Sequence, residues 1–299
     1  MLSRILLGTL LLAGCEQAPP HVPEIDGARA LEYVRVQLDF GPRIPGTEGH
    51  RRMAAWLDSL LRTRADSVVV QAWDHTTVEG TALPMRNVIA RFNPGATDRL
   101  LFLAHWDTRP RADAAGSTDP EAAVPGANDG ASGVAVLLAM ADAMKASPPT
   151  IGVDLLFVDG EDYGDFGVDR DVLIGSRYFA RNPLPGPKPR FAVLFDMVGD
   201  RDLQIYQEGH SLTGAPKVVE LVWRVAGEIG YRAQFPDQPR HTITDDHIPL
   251  QQAGIPAIDL IDFDYPHWHT PEDTFDKVSA ESLKAVAEVG MAVVRRSGR

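Results

Sequence analysis

Four short apolar runs constrain this chain more than anything else in it. They are RLLFLAH (99–105), LLFV (155–158), FAVLFD (191–196) and PAIDLID (256–262), and a helix-patterned stretch separates each from the next. A strand apolar on both faces of its pleat must be covered on both sides, the situation of a central strand in a parallel sheet with helices above and below. The spacing predicts helices over 132–145, 173–180, 216–229 and 280–295, alternating with strands. Earlier in the chain it predicts helices over 28–40 and 47–64 with the turn GPRIPG between them, then strands over 67–73 and 88–93; a further strand is expected around 203–206. The fold class that follows is α/β: one domain with a twisted, mostly parallel central sheet flanked by helices.

In such sheets, ligands collect beyond the carboxyl ends of the strands. There the chain carries its chemically capable side chains. His105 closes RLLFLAH; Asn128-Asp129-Gly130 precedes a helix; Glu161-Asp162 follows LLFVDG; Asp196 closes FAVLFD; and His269 follows PAIDLID in the loop HWHTPEDT. A single Asp after a strand is ordinarily a turn or cap residue. Five such loops on one sheet edge, offering imidazole and carboxylate but no thiolate, point instead to a catalytic zinc or similar ion with an open position. The adjacent acids then divide the work: Asp162 binds the ion, and Glu161 moves a proton.

A net charge of -12 disfavours nucleic acid as a partner. The N-terminus, MLSRILLGTLLLAGCEQAPP, has an apolar run from Ile5 to Leu12, too short to span a bilayer and suited to a signal peptide. Leu12-Ala13-Gly14-Cys15 resembles the bacterial lipobox, and Cys15 is the sole cysteine, so neither a disulfide framework nor a thiolate zinc site is expected. The expected organisation is a signal peptide at 1–14, a lipidated Cys15 with a tether to 26, and a catalytic domain over 27–299. The product would be an exported lipoprotein, anchored in a membrane and facing the periplasm or the cell exterior.

Taken in order, FGPRIPGTEG, MRNVIARFNPG, AHWDTRPRAD, PGANDGASG, LLFVDGEDYG, IGSRYFA, LFDMVGD and DDHIPLQQAGIPAIDLIDFDYPHWHTPEDT resemble the zinc aminopeptidase-like superfamily. Within it, the resemblance is to the glutaminyl cyclases of bacterial type. It implies a zinc exopeptidase-like fold and the cyclisation of N-terminal glutamine on peptides or proteins to pyroglutamate, with release of ammonia. It implies Asp129, Asp162 and His269 as ligands of one zinc ion, Glu161 as general acid/base, Asp196 and Asp245 as acids of a catalytic hydrogen-bond network, and Trp268 as an aromatic wall for the substrate. Asp162 departs from the Glu-Glu pair common in the superfamily, and the segment from Tyr265 to Trp268 is shorter than in animal cyclases, which leaves Tyr265 without a role. Two alternatives remain. A metalloaminopeptidase would hold a second ion at His105 and Asp196 with Asp129 as bridge; an inactive binding domain would have lost ligands, and none is missing here.

Overall fold

The computed structural model describes residues 24–298. The expected signal peptide, Cys15 and most of the tether lie outside the described residues. Six strands form one sheet: β1 (Ser67–Thr76), β2 (Ala82–Phe92), β3 (Arg99–His105), β4 (Gly152–Val158), β5 (Ala192–Asp196) and β6 (Ala257–Ile261), in the order β1-β2-β4-β3-β5-β6. The pairs β4–β3, β3–β5 and β5–β6 are parallel. β1 and β2 form an antiparallel hairpin, and β2 lies antiparallel to β4. The parallel core is therefore as expected, extended at one edge by a hairpin. β2 begins earlier than its sequence suggested because Pro84 sits within it, opposite Asp74 on the edge strand β1. A proline is tolerated there, beside the open side of a sheet.

The helices are α1 (Gly27–Leu38), α2 (Glu48–Arg62), α3 (Ala131–Ala146), α4 (Ile174–Arg181), α5 (Gly209–Gly214), α6 (Pro216–Glu228), α7 (His247–Gln252) and α8 (Ala280–Ser297). On one face of the sheet Phe102, Leu155, Phe157, Val193 and Phe195 pack with α1, α2, α3, α6 and α8. On the other, Leu101, Leu103, Leu156 and Leu194 meet Phe179 of α4 and Leu250 of α7. α3 is buried nearly all round because it lies between the sheet and the outer helices. Gly133 lets it approach so closely: a Cβ there would stand 2.2 Å from the Phe195 carbonyl oxygen.

Residues 203–206 are a correction. They alternate buried Leu203 and Ile205 with more exposed neighbours, which is why they read as a strand, but they lie outside the sheet. The Ile205 amide donates instead to the Gln234 carbonyl (2.8 Å) and the Gln207 amide to Gln238 (3.0 Å). α5 and α7 were not legible. α7 contains Pro249, a helix breaker in a sequence reading, and α5 begins and ends in glycine but is capped by Glu208, whose carboxylate accepts from the amides of His210 and Ser211.

What positions the site is the shared direction of β3, β4, β5 and β6. Their carboxyl ends meet on one edge, His105 and Asp196 are the last residues of β3 and β5, and α3 begins just after Asp129.

Candidate metal centre and active site

Asp129, Asp162 and His269 converge: each offers a ligand atom, and these atoms lie within 4.8 Å of one another. His269 Nε2 is 3.1 Å from Asp162 Oδ1 and 3.5 Å from Asp129 Oδ2. Two buried carboxylates facing each other repel, and Asp162 Oδ2 is buried without a hydrogen-bond partner. A cation among them would remove both costs. Three protein ligands of N and O type at the base of an open cleft fit catalytic zinc. Among the described residues a second group shares Asp129: His105 Nε2 stands 3.1 Å from Asp129 Oδ1 and 3.2 Å from Asp196 Oδ1.

Local backbone features bring these groups together. Gly160 has φ +70° and turns the chain after β4, so that Glu161 and Asp162 both reach inward. Gly130 leaves room for the β3 histidine, since a Cβ there would sit 2.6 Å from His105 Cε1. His269 itself is left-handed at φ 52°, a conformation that costs a non-glycine residue on the order of 1–3 kcal/mol and recurs at functional sites.

Three residues of the HWDTRPRAD loop, Asp107, Arg109 and Asp113, belong to the site although the sequence assigned them no role. Asp107 accepts from the amides of both Glu161 and Asp162, each at 3.1 Å, and so fixes the direction of the two adjacent acids. Arg109 Nη1 donates to the carbonyl and to Oδ1 of Asp162, both at 3.0 Å, while its Nε donates to Asp113 Oδ1 at 2.8 Å. Asp113 in turn lies 3.2 Å from His269 Nδ1, which leaves Nε2 for the centre, the familiar carboxylate–histidine arrangement behind a metal. The signal that could have found them is the density of charge in a loop directly after a buried strand.

The electrostatics separate the adjacent acids. Burial and the neighbouring charge of Asp162 push Glu161 well above the usual carboxylate range. For Asp162, burial is outweighed by His269 and Arg109, which hold it well below that range. One acid can carry a proton while the other stays ionised. Burial and the charge of Asp196 also hold Asp245 well above its ordinary value. Asp196 and Asp245 line the same cleft of about 550 Å³ as Asp129, Glu161, Asp162 and His269. Phe166, Ile243, Phe263 and Trp268 form its apolar walls; the Trp268 ring lies 5.2 Å from Phe263 and 4.3 Å from His269.

These shifts predict an unusual pH response. Burial raises Asp159 to about 6 against the pull of His50, and raises Asp246 to about 7. An unfolded aspartate titrates near about 3.9, so between these values the folded state holds more protons, and its stability falls as pH rises. His269, raised to about 10, acts in the same direction, because its contribution is complete below its unfolded value and is lost on deprotonation. The melting temperature of metal-free protein should therefore fall from pH 5 to pH 8. Zinc requires deprotonated ligands, so the stabilisation it adds should grow over the same range. A metal-free melting temperature that rises with pH contradicts the reading.

A parallel-cored α/β sheet with a His/Asp/Asp group and a neighbouring acid at its carboxyl edge defines a zinc exopeptidase-like protein. The chain belongs to Peptidase family M28, a zinc-dependent family whose model matches residues 87–294. The solved structure of Bacteroides thetaiotaomicron glutaminyl cyclase with N-acetylhistamine bound is 37% identical, with a TM-score of 0.88, and the likeness covers 92% of this chain and 99% of that one. A structure from Bacteroides thetaiotaomicron VPI-5482 described as a leucine aminopeptidase precursor is also 37% identical, with a TM-score of 0.89 and the same coverage. The mouse glutaminyl-peptide cyclotransferase-like protein is 28% identical over an alignment of 263 positions that covers 78% of this chain and 66% of the mouse protein, so the chain spans just under two thirds of that relative.

Proposed function

We propose that the protein is a glutaminyl cyclase, converting an N-terminal glutamine of peptides or proteins to pyroglutamate with release of ammonia. The observation that carries this is the likeness, over 92% of the chain, to a glutaminyl cyclase, joined to a three-ligand group with Glu161 beside it in one cleft. Zinc held by Asp129, Asp162 and His269 would act as a Lewis acid on the γ-amide carbonyl. Glu161, which a cation beside it would favour in the ionised form, takes a proton from the α-amine as its nitrogen bonds to the amide carbon, and returns that proton to the departing nitrogen as the old C–N bond breaks. Asp196 and Asp245 line the cleft with Glu161, where they would serve as acids of a hydrogen-bond network, and Trp268 with Phe263 would pack against the methylenes of the glutamine. One proton moves from nitrogen to nitrogen, and no water nucleophile is needed.

A second reading, hydrolysis of an N-terminal residue by a two-ion centre, has two observations in its favour: the His105–Asp129–Asp196 group and the equal likeness to a structure described as a leucine aminopeptidase precursor. We assign that group to the frame instead, with His105 Nε2 3.1 and 3.2 Å from the Asp129 and Asp196 carboxylates, because cyclisation moves one proton and polarises one carbonyl, for which a single ion suffices. Elemental analysis tests the assignment. One zinc per chain is expected, and two would favour the hydrolase.

Export and membrane anchoring through Cys15 complete the proposal, resting on Leu-Ala-Gly-Cys after a short apolar run. One or two acyl chains would anchor the protein without spanning the bilayer. Cys15→Ser should release it from the membrane fraction or leave an uncleaved precursor. A variant that fractionates and migrates as the parent does contradicts the anchor.

A further inference from the structure

The ligand group draws on loops far apart in sequence, and something must keep them in register. The loop 125–129 carries Asp129; the loop after β6 carries His269 and, four residues later, Asp273. Asp273 is fully buried. Its Oδ1 accepts from the Asn128 amide at 2.9 Å and from the Tyr265 hydroxyl at 2.7 Å, and its Oδ2 accepts from the Asp129 amide at 3.1 Å. The Ala127 amide donates to the Asp273 carbonyl at 3.3 Å. Three consecutive backbone donors of the Asp129 loop thus end on one residue of the His269 loop.

The same loop is held from its other side by Arg43, the arginine of GPRIPG. That side chain is fully buried, with Nη1 donating to the Pro125 carbonyl at 2.6 Å and Nη2 to the Gly126 carbonyl at 2.7 Å. Gly126 has φ +71°, and a Cβ on it would stand 2.4 Å from Thr108 Cγ2, so the loop lies directly against the segment that follows β3. The arrangement repeats the grip of Asp107 on the amides of Glu161 and Asp162. In both cases one carboxylate spans two adjacent amides, one of them belonging to a ligand residue.

We infer that Asp273, steadied by Tyr265, is a positioning residue that sets the separation of Asp129 from His269 and thereby the affinity of the metal site. The inference rests on the assignment of Asp129, Asp162 and His269 as ligands. It also accounts for Tyr265, which is buried and does not line the cleft. The Tyr265 hydroxyl fills one acceptor site of Asp273 that would otherwise be buried unpaired. An amide in place of the carboxylate would turn an NH₂ towards one of the two backbone N–H groups. That donor would lose its partner, and the loop would relax away from His269.

The test is metal binding by folded protein, read without turnover. Zinc affinity is measured by competition with a chromophoric chelator, and the ligand field by the visible spectrum of the cobalt(II) form, for the parent, Asp273→Asn and Tyr265→Phe. Asp273→Asn should bind zinc about 10- to 100-fold more weakly, the range for losing a group that orients a metal ligand, and should alter the cobalt spectrum. Tyr265→Phe, which keeps the carboxylate, should shift both in the same direction by less, and it carries the test if Asp273→Asn does not fold. A merely structural residue would lower the melting temperature of the metal-free protein and leave zinc affinity and the cobalt spectrum as in the parent. That result overturns the inference. A parent protein that binds neither metal overturns instead the ligand assignment beneath it.

Discussion

Glu161→Gln should retain its zinc and lose about 10²- to 10⁴-fold in turnover, the range for removing a positioned general acid/base, whereas Asp162→Asn should lose the metal itself. The two side chains are neighbours in sequence and share the grip of Asp107, so any general disturbance of the loop would affect both variants alike. They differ in what faces them. Asp162 meets His269 Nε2 at 3.1 Å and belongs to the ligand group, while Glu161 stands outside that group, buried, with its carboxyl biased towards the protonated form. The amide of the Glu161→Gln variant keeps the shape of the side chain and cannot exchange a proton. Elemental analysis of both variants, beside the rate of ammonia release from a peptide with N-terminal glutamine, separates the roles. Zinc lost with Glu161→Gln, or retained in full with Asp162→Asn, reverses the assignment.

Trp268→Ala should lower kcat/KM by on the order of 1–3 kcal/mol, about 5- to 150-fold, through lost burial of the glutamine side chain against the ring. The ring forms a wall of the cleft with Phe263 and is only partly covered in the free protein, so a glutamine side chain seated there would complete its burial. It packs on the small cluster of Met197, Ile261 and Tyr265 and not on the main core, so the melting temperature should move little. Trp268→Phe should recover much of the loss because it restores an apolar face. Steady-state kinetics on one short peptide decides the matter; an alanine variant with parental kcat/KM would make Trp268 a packing residue of the loop only.

The fold was legible where burial leaves no ambiguity. RLLFLAH and FAVLFD have no polar face to present to water, so they could only be central strands, and the sheet's carboxyl edge then located His105, Asp129, Glu161, Asp162, Asp196 and His269 together. Residues 203–206 show the limit of periodicity: an alternating pattern reports one buried face, and a segment paired with 234–238 outside the sheet has that face too. The residues that hold the site in place were hardest to see. Asp107 acts on amides 54 and 55 positions away, and Asp273 on an amide 145 positions away. A carboxylate that binds backbone N–H groups imposes no requirement on the side chains there, so no motif at the far end announces it. Arg109 and Asp113 stand in a charged loop whose charges would suit a solvated surface equally well, and only the fold turns them towards Asp162 and His269.

The central claim is that this site closes a ring at the N-terminus of a peptide instead of cutting a bond. Mass spectrometry of a peptide beginning Gln-Xaa, incubated with the zinc-loaded protein and with the protein after chelation, tests it most directly. The account predicts loss of one ammonia with chain length unchanged, in the zinc-loaded sample above the slow spontaneous reaction, and no such excess after chelation. Free glutamine with a peptide one residue shorter would contradict it and make the protein an aminopeptidase.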